Sequence, residues 1–277
     1  MNLRTDLAVE AIELDKKVPL GITKKEYEKA GITVSIVEVN DEESAKKIGK
    51  PIGRYTTIQI KNFKFASNKI KEEVEIIADR IRELIPKEGA VLLAGLGNSD
   101  ITPDAIGPLT ISQILATRHI PEETIKSTGL PELRVVAAIA TGVLGQTGVE
   151  SSEIIGSICK QIDPCVVIAV DALAAGSTER LGCTVQISDT GITPGSGVKN
   201  SRKELSQKTL GIPVIAIGVP TVADLSAVTE AGFADNMMIT PREIDVIVER
   251  ASKTVAYAIN KALQPTLTFE DITALIS

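Results

Sequence analysis

Strand-like runs recur along the chain, and several of them carry no polar face. They are TVSIVEV from Thr33, YTTIQI from Tyr55, AVLLAG from Ala90, RVVAAIA from Arg134, CVVIAVD from Cys165, TVQIS from Thr184 and PVIAIGV from Pro213. A strand that is apolar throughout is buried on both sides, as in a parallel sheet covered by helices. Helical spacing lies between the runs. The clearest case starts at Asn68, a residue suited to an N-cap, and places Ile70, Val74, Ile77, Ile81 and Leu84 on one stripe. Further helices are expected near Leu109–Arg118, Ser151–Gln161, Val222–Ala231 and Glu243–Leu263. The alternation from Asn68 onward predicts an α/β fold with a mostly parallel central sheet flanked by helices. Residues 1–65 differ. They are rich in Lys and Glu, with two extended segments, and read as an N-terminal arm with edge strands beside a domain over 66–277.

Composition removes several functions. The net charge is -6 with no basic tract, and aromatics are 3% with no Trp, which argues against direct nucleic-acid binding. No apolar run approaches the ~20 residues that cross a bilayer, so no membrane role is expected. Cys159, Cys165 and Cys183 form no C-x-x-C, and MNLRTDLAVE does not read as a signal peptide. Both points predict a reducing cytoplasm. The single histidine, His119, cannot build a multi-histidine metal site, and no metal or other cofactor is expected.

In open parallel sheets, sites form at the carboxyl ends of strands. Three aspartates are expected there: Asp104 beyond AVLLAGLGN, Asp171 closing CVVIAVD, and Asp189 after TVQIS. Two carboxylates at one edge suggest a dyad, one protonated and one activating water. Each has a plainer explanation. Asp104 could serve a helix start through Thr102-Pro103-Asp104, although Pro108 is itself a good first helical residue and leaves Asp104 in the preceding loop. Asp171 could cap a short helix over ALAAG. Asp189 could simply organise the Gly/Pro/Ser loop that runs from Ser188 to Glu204. SDTG is not a pepsin-like turn, because that fold is all-β and needs two. GLGNSD has Asp100 where a dinucleotide fingerprint requires a third glycine, and no Walker lysine follows. His119 reads as a cation at a helix C-terminus or as a supporting group, and Cys165 as core packing.

Longer motifs narrow the choice. RTDLAVEA, GLGNSDITPDAIGP, TGVLGQTGVESSEII, VDALAAGSTER, QISDTGITPGSGVKNSRKEL and LGIPVIAIGVPTVAD together resemble the germination proteases of spore-forming Firmicutes, from Arg4 to about Asp224. The resemblance implies an endopeptidase acting on small acid-soluble spore proteins in the spore core. It implies an α/β fold similar to that of hydrogenase-maturation peptidases, a self-processed zymogen and a homotetramer. It places the catalytic aspartates at Asp104 and Asp171. It implies a cut after an acidic residue, before a hydrophobic residue and Ala. An acid needs a cationic or N–H-rich pocket, for which Arg180, Lys199, Arg202 and Lys203 are the candidates. The chain's own Asp6-Leu7-Ala8 fits that substrate pattern, so a propeptide over residues 1–6 and a cut between Asp6 and Leu7 are expected. One departure stands out: Gly176 occupies a position where the resemblance leads one to expect Arg. A phosphate- or nucleoside-processing α/β hydrolase, or a non-catalytic degenerate relative, remain the alternatives.

Overall fold

The structure is a computed structural model that describes residues 5–13, 19–121, 123–124, 127, 131–196, 202–224 and 237–276. In chain order its elements are α1 (Ala8–Glu13), β1 (Ile22–Lys29), β2 (Ile32–Val39), α2 (Glu42–Ile48), β3 (Gly53–Gln59), α3 (Ile70–Arg82), β4 (Val91–Leu96), α4 (Ile106–Ile111), β5 (Val136–Gly142), α5 (Ser151–Ile162), β6 (Val166–Ala175), β7 (Thr184–Ser188), β8 (Val214–Asp224), β9 (Met238–Ile239), α6 (Ile244–Leu263) and α7 (Phe269–Ile276). Single helical turns at Leu144–Thr147 and Gln207–Leu210, and 3-10 turns at Thr102–Asp104 and Thr178–Arg180, fill the connections.

The nine strands among the described residues join one sheet in the order β1-β2-β3-β7-β8-β6-β4-β5, with β9 added on β8. The sheet is mixed. Strands β8, β6, β4 and β5 pair in parallel, and they hold four of the strand-like runs, PVIAIGV, CVVIAVD, AVLLAG and RVVAAIA. Strands β1, β2, β3 and β7 form an antiparallel wing, joined to the parallel half through β7 and β8. The early extended segments are therefore bonded into the same sheet as the rest. Strand β1 has no counterpart among the apolar runs: in ITKKEYEK only Ile22 is buried. Its charges suit a sheet edge, where they discourage pairing with another chain.

Helices cover one face of the sheet. Val74, Ile77 and Ile81 of α3 pack with Val255 and Ile259 of α6 over Leu93, Ile168 and Ile217. On the other face Ile155 and Cys159 of α5 cover Leu92, Ala94, Val167 and Ala169. Side chains alternate along a strand, so Asp171 points to this second face. There Leu7 and Val9 also pack, against Leu173 and Ala175.

Several boundaries differ from the sequence expectation. Helix α3 begins after Lys69, which makes no side-chain cap bond, so Asn68 is not its cap. Glu72 and Glu73 in its first turn and Arg80 and Arg82 in its last complement the helix dipole instead. Helix α4 stops at Ile111 rather than near Arg118. Asn260 of α6 takes the backbone beyond it, accepting from the Leu115 N–H and donating to the Gln113 carbonyl at 2.9 Å each. Val222 belongs to β8, and the rest of the helix expected to Ala231 lies outside the described residues after Asp224.

Candidate active site

Strand β4 ends at Leu96, and the chain turns through Gly97 at φ +106°. It folds back through the Thr102–Asp104 turn into α4, so Asp104 returns to the end of the strand it followed. Glycine makes this return possible. A Cβ on Gly97 would lie 2.1 Å from the Asp104 carbonyl oxygen, and one on Gly107 would lie 2.2 Å from the Leu96 carbonyl oxygen. Thr221 of β8, fully buried, donates its hydroxyl to the Pro103 carbonyl at 2.7 Å. The Asn98 N–H donates to Asp104 Oδ2 at 2.8 Å. Asn98 is held in turn by Gln146 Nε2, which donates to Asn98 Oδ1 at 2.9 Å. Asp104 closes a 3-10 turn rather than lying in open loop, and Pro108 is the third residue of α4, not the first. Pro108 still sits in the first turn, where its missing N–H costs no helical bond.

Asp171 does not close its strand as expected. It lies inside β6, which continues to Ala175, so there is no helix over ALAAG for it to cap. Its row in the sheet runs from Asp171 through Gly218 of β8 to Gln186 of β7. Asp171 is 5% exposed, and its Oδ1 accepts the Ala172 N–H at 2.9 Å. Burial raises its carboxyl well above the usual range, and the Asp104 charge raises it further. Asp104 is also raised, chiefly by burial, while the Asn98 N–H opposes the shift. Both aspartates line one cleft of about 1210 Å³.

The cleft also holds the chain's own N-terminal segment. Asp6 pairs with β6 through its N–H, which donates to the Ala174 carbonyl at 2.8 Å. Its carboxylate accepts the Ala174 N–H at 2.8 Å and the Ser196 hydroxyl at 3.0 Å. Gln186 grips the backbone on both sides of Leu7. Its Nε2 donates to the Asp6 carbonyl at 2.9 Å, and its Oε1 accepts the Ala8 N–H at 2.8 Å. Lys50 Nζ donates to the Thr5 carbonyl at 2.9 Å. Leu7 is fully buried.

The remaining candidates divide. Arg202 lines the cleft. Arg180 does not: its guanidinium donates to both Glu13 carboxylate oxygens at 3.0 and 3.1 Å and lies 3.6 Å from Glu10, so it anchors α1. The Gly176 N–H donates to Glu10 at 2.7 Å, so backbone and Arg180 together meet that acid where the resemblance suggested an arginine. Lys203 is an exposed partner of Glu153 at 2.7 Å and is not part of the cleft wall. Lys199 lies outside the described residues. Asp189 accepts the Arg54 N–H at 2.7 Å, which ties its loop to β3. His119 does not end a helix. It follows Thr117 and Arg118, whose N–H groups reach the Val136 carbonyl at the start of β5, the sheet edge opposite Asp104. Sequence reasoning missed Lys50, Gln186 and Ser196. Gln186 sat in TVQIS between Val185 and Ile187, as the largest polar side chain of a wholly buried strand, a trace that could have found it. Among the described residues no group of three His, Cys, Asp or Glu side chains is placed to hold a metal ion.

Comparison with known proteins gives this cleft a family. The model of the germination protease peptidases matches residues 4–234. The chain belongs to the germination protease family. A germination protease of Clostridium perfringens (strain ATCC 13124) is 38% identical, over 100% of this chain and 99% of that one. The germination protease of Caldanaerobacter subterraneus subsp. tengcongensis is 36% identical, over 100% of this chain and 98% of that one. That of Geobacillus sp. (strain WCH70) is 46% identical over 82% of this chain and 65% of its own. Among solved structures, the NiFe hydrogenase maturation protease HycI from Thermococcus kodakarensis KOD1 aligns at 18% identity with a TM-score of 0.38, over 65% of this chain and 98% of that one. As a member of the germination protease family, the chain is a peptidase. No helix among the described residues is long and apolar enough to cross a membrane.

Proposed function

We propose that this germination protease cuts small acid-soluble spore proteins in the spore core, and that Asp104 and Asp171 are its catalytic residues. The observation that supports this most is the sharing of one cleft by the two carboxylates and a segment of peptide backbone. Asp171, the more deeply buried, keeps its proton and is the acid. Asp104, raised less than Asp171 and accepting the Asn98 N–H that opposes the effect of burial, is the base. Asp104 takes a proton from water as the water oxygen bonds to the peptide carbonyl carbon. Asp171 first protonates the carbonyl oxygen. The tetrahedral intermediate then collapses: one of its hydroxyls returns a proton to Asp171 as the C=O bond re-forms, the C–N bond breaks with its electron pair passing to nitrogen, and Asp104 gives that nitrogen the proton it took from water. The products are a carboxylic acid and an amine, and the dyad is restored. The loop N–H that could have met a phosphate is used on Asp104, which disfavours the nucleotide-type alternative.

The same reading covers the beginning of the chain. It is made as a zymogen, cut between Asp6 and Leu7, and it assembles as a homotetramer. Substrates are cut after an acid that precedes a hydrophobic residue and Ala. The test is incubation of the purified protein with a small acid-soluble spore protein, followed by intact mass. Fragments that end on an acidic residue are expected; a substrate that stays whole under all mildly acidic conditions contradicts the proposal.

A further inference from the structure

The way Asp6 is held separates contacts that any residue would make from contacts that read its side chain. The Asp6 N–H on the Ala174 carbonyl and both arms of Gln186 engage backbone alone. They hold the segment as an added strand would be held, without regard to sequence. The side chain meets two other groups. The Ala174 N–H can only donate, and the Ser196 hydroxyl can donate or accept. Lys50, whose ammonium lies on the Thr5 carbonyl in the same cleft wall, adds a positive charge that Asp6 and Glu10 face.

We propose that the seat filled by Asp6 is the carboxylate subsite for a substrate's acidic residue, built from the Ala174 N–H, the Ser196 hydroxyl and the Lys50 ammonium, with Gln186 clamping the backbone beside it. This rests on the peptidase reading of the cleft given above. None of the cations expected from sequence is needed for it. The three groups have different parts. A carboxamide could place its oxygen on the Ala174 N–H and its NH2 on Ser196, so those two hold acid and amide alike. Lys50 hydrogen-bonds the Thr5 carbonyl rather than the Asp6 carboxylate, and favours the acid through the longer-range attraction of a half-buried cation for a charge. Burial pushes Lys50 down from its usual value and the two carboxylates push it back, so a vacated seat leaves a cation short of one partner. The N-terminal segment and a substrate then compete for one place, and the seat opens to substrate only when residue 6 leaves it.

The test uses the chain from Leu7 onward, the form left by a cut after Asp6, in which the Asp6 side chain and its backbone contacts are both gone, and two peptides of the chain's own residues 4–12 with Asp or Asn at residue 6. The expected result is a preference for the Asp peptide in kcat/KM of roughly tenfold or more, the worth of a hydrogen-bonded charge. Lys50→Met should bring that ratio close to one, and Lys50→Arg should restore most of it. Ser196→Ala should weaken both peptides together. Gln186→Leu should lower kcat for both and leave their ratio unchanged. An acid preference that survives both Lys50→Met and Ser196→Ala in folded protein overturns the assignment. Should this chain cut neither peptide, the peptidase reading of the cleft fails, and calorimetry on it still decides the seat. Tighter binding of the Asp peptide, lost with Lys50→Met, upholds it; equal binding of the two peptides overturns it.

Discussion

A Cβ on Gly97 would stand 2.1 Å from the carbonyl oxygen of Asp104. The Asp104 loop can fold back over the end of β4 only because residue 97 has no side chain and tolerates φ +106°. Gly97→Ala is therefore expected to displace Asp104 as well as strain the turn. The strain alone costs about 1–3 kcal/mol. Thermal denaturation should show that loss, and peptide hydrolysis should fall far more than the lost stability explains. A variant with a lowered melting point and full activity would show that Asp104 does not depend on this contact.

Asp171 should make the protein less stable as pH rises. Its carboxyl is raised above the ordinary aspartate value of 3.8, so between that value and its own the native state holds a proton that the unfolded chain has released. The favourable contribution is complete below the unfolded value and is lost as pH climbs through the folded one. Asp171→Asn removes this loss and keeps the acceptor that the Ala172 N–H uses. Melting curves of the two proteins should lie close at acid pH and separate toward neutrality, with the variant higher by a few degrees. A variant that melts lower at neutral pH would mean that the charged form is stabilised in the cleft.

Processing at the N-terminus is expected to leave α1 where it is. Leu7 and Val9 are buried against Leu173 and Ala175, and Arg180 holds Glu13, so a cut between Asp6 and Leu7 frees only residues 1–6. N-terminal sequencing after incubation at falling pH should find Leu7 as the new first residue. Asp6→Lys and Asp104→Asn should each block that change. Protein that keeps Met1 throughout, yet cuts spore proteins, would contradict self-processing.

Charge reversal at Arg180 should act on this segment and not on substrate choice. Arg180→Glu removes the Glu13 pair, whose exposed geometry is worth about 1 kcal/mol or less. Limited proteolysis within residues 8–13 should become faster, while the preference for acid over amide in peptides stays the same. A lost preference would return Arg180 to the substrate pocket.

Much of the fold was legible because burial leaves a pattern. The runs AVLLAG and PVIAIGV have no polar face, and the parallel strands they form have none either. The stripe Val74, Ile77 and Ile81 is the buried side of α3. Strand β1 was not legible, because an edge strand of Lys and Glu carries no alternation to detect. The end of α4 was hidden for another reason: Asn260, far along the chain, takes the backbone groups that would have continued the helix. The site divides in the same way. Asp104 and Asp171 are charges beside apolar strands and stand out in one dimension. Lys50, Gln186 and Ser196 come from three separate segments and meet only through the sheet order, in which β3, β7, β8 and β6 are neighbours. The cations of the glycine-rich loop looked suitable by charge alone, yet Lys203 is spent on Glu153 at the surface.

The most direct test of the account is hydrolysis of a small acid-soluble spore protein by Asp104→Asn, Asp171→Asn and the double variant, each followed across pH. Each single change is expected to lower kcat by roughly 10²–10⁴-fold, the range of a lost general acid or base. The double variant should be little worse than either one, because the two carboxylates act as a unit. The unaltered protein should lose activity as rising pH takes the proton from Asp171. Folding should be retained in all three variants, as read by circular dichroism. Near-normal cleavage by either single variant, in folded protein, would contradict the assignment of Asp104 and Asp171 as the pair that cuts the peptide bond.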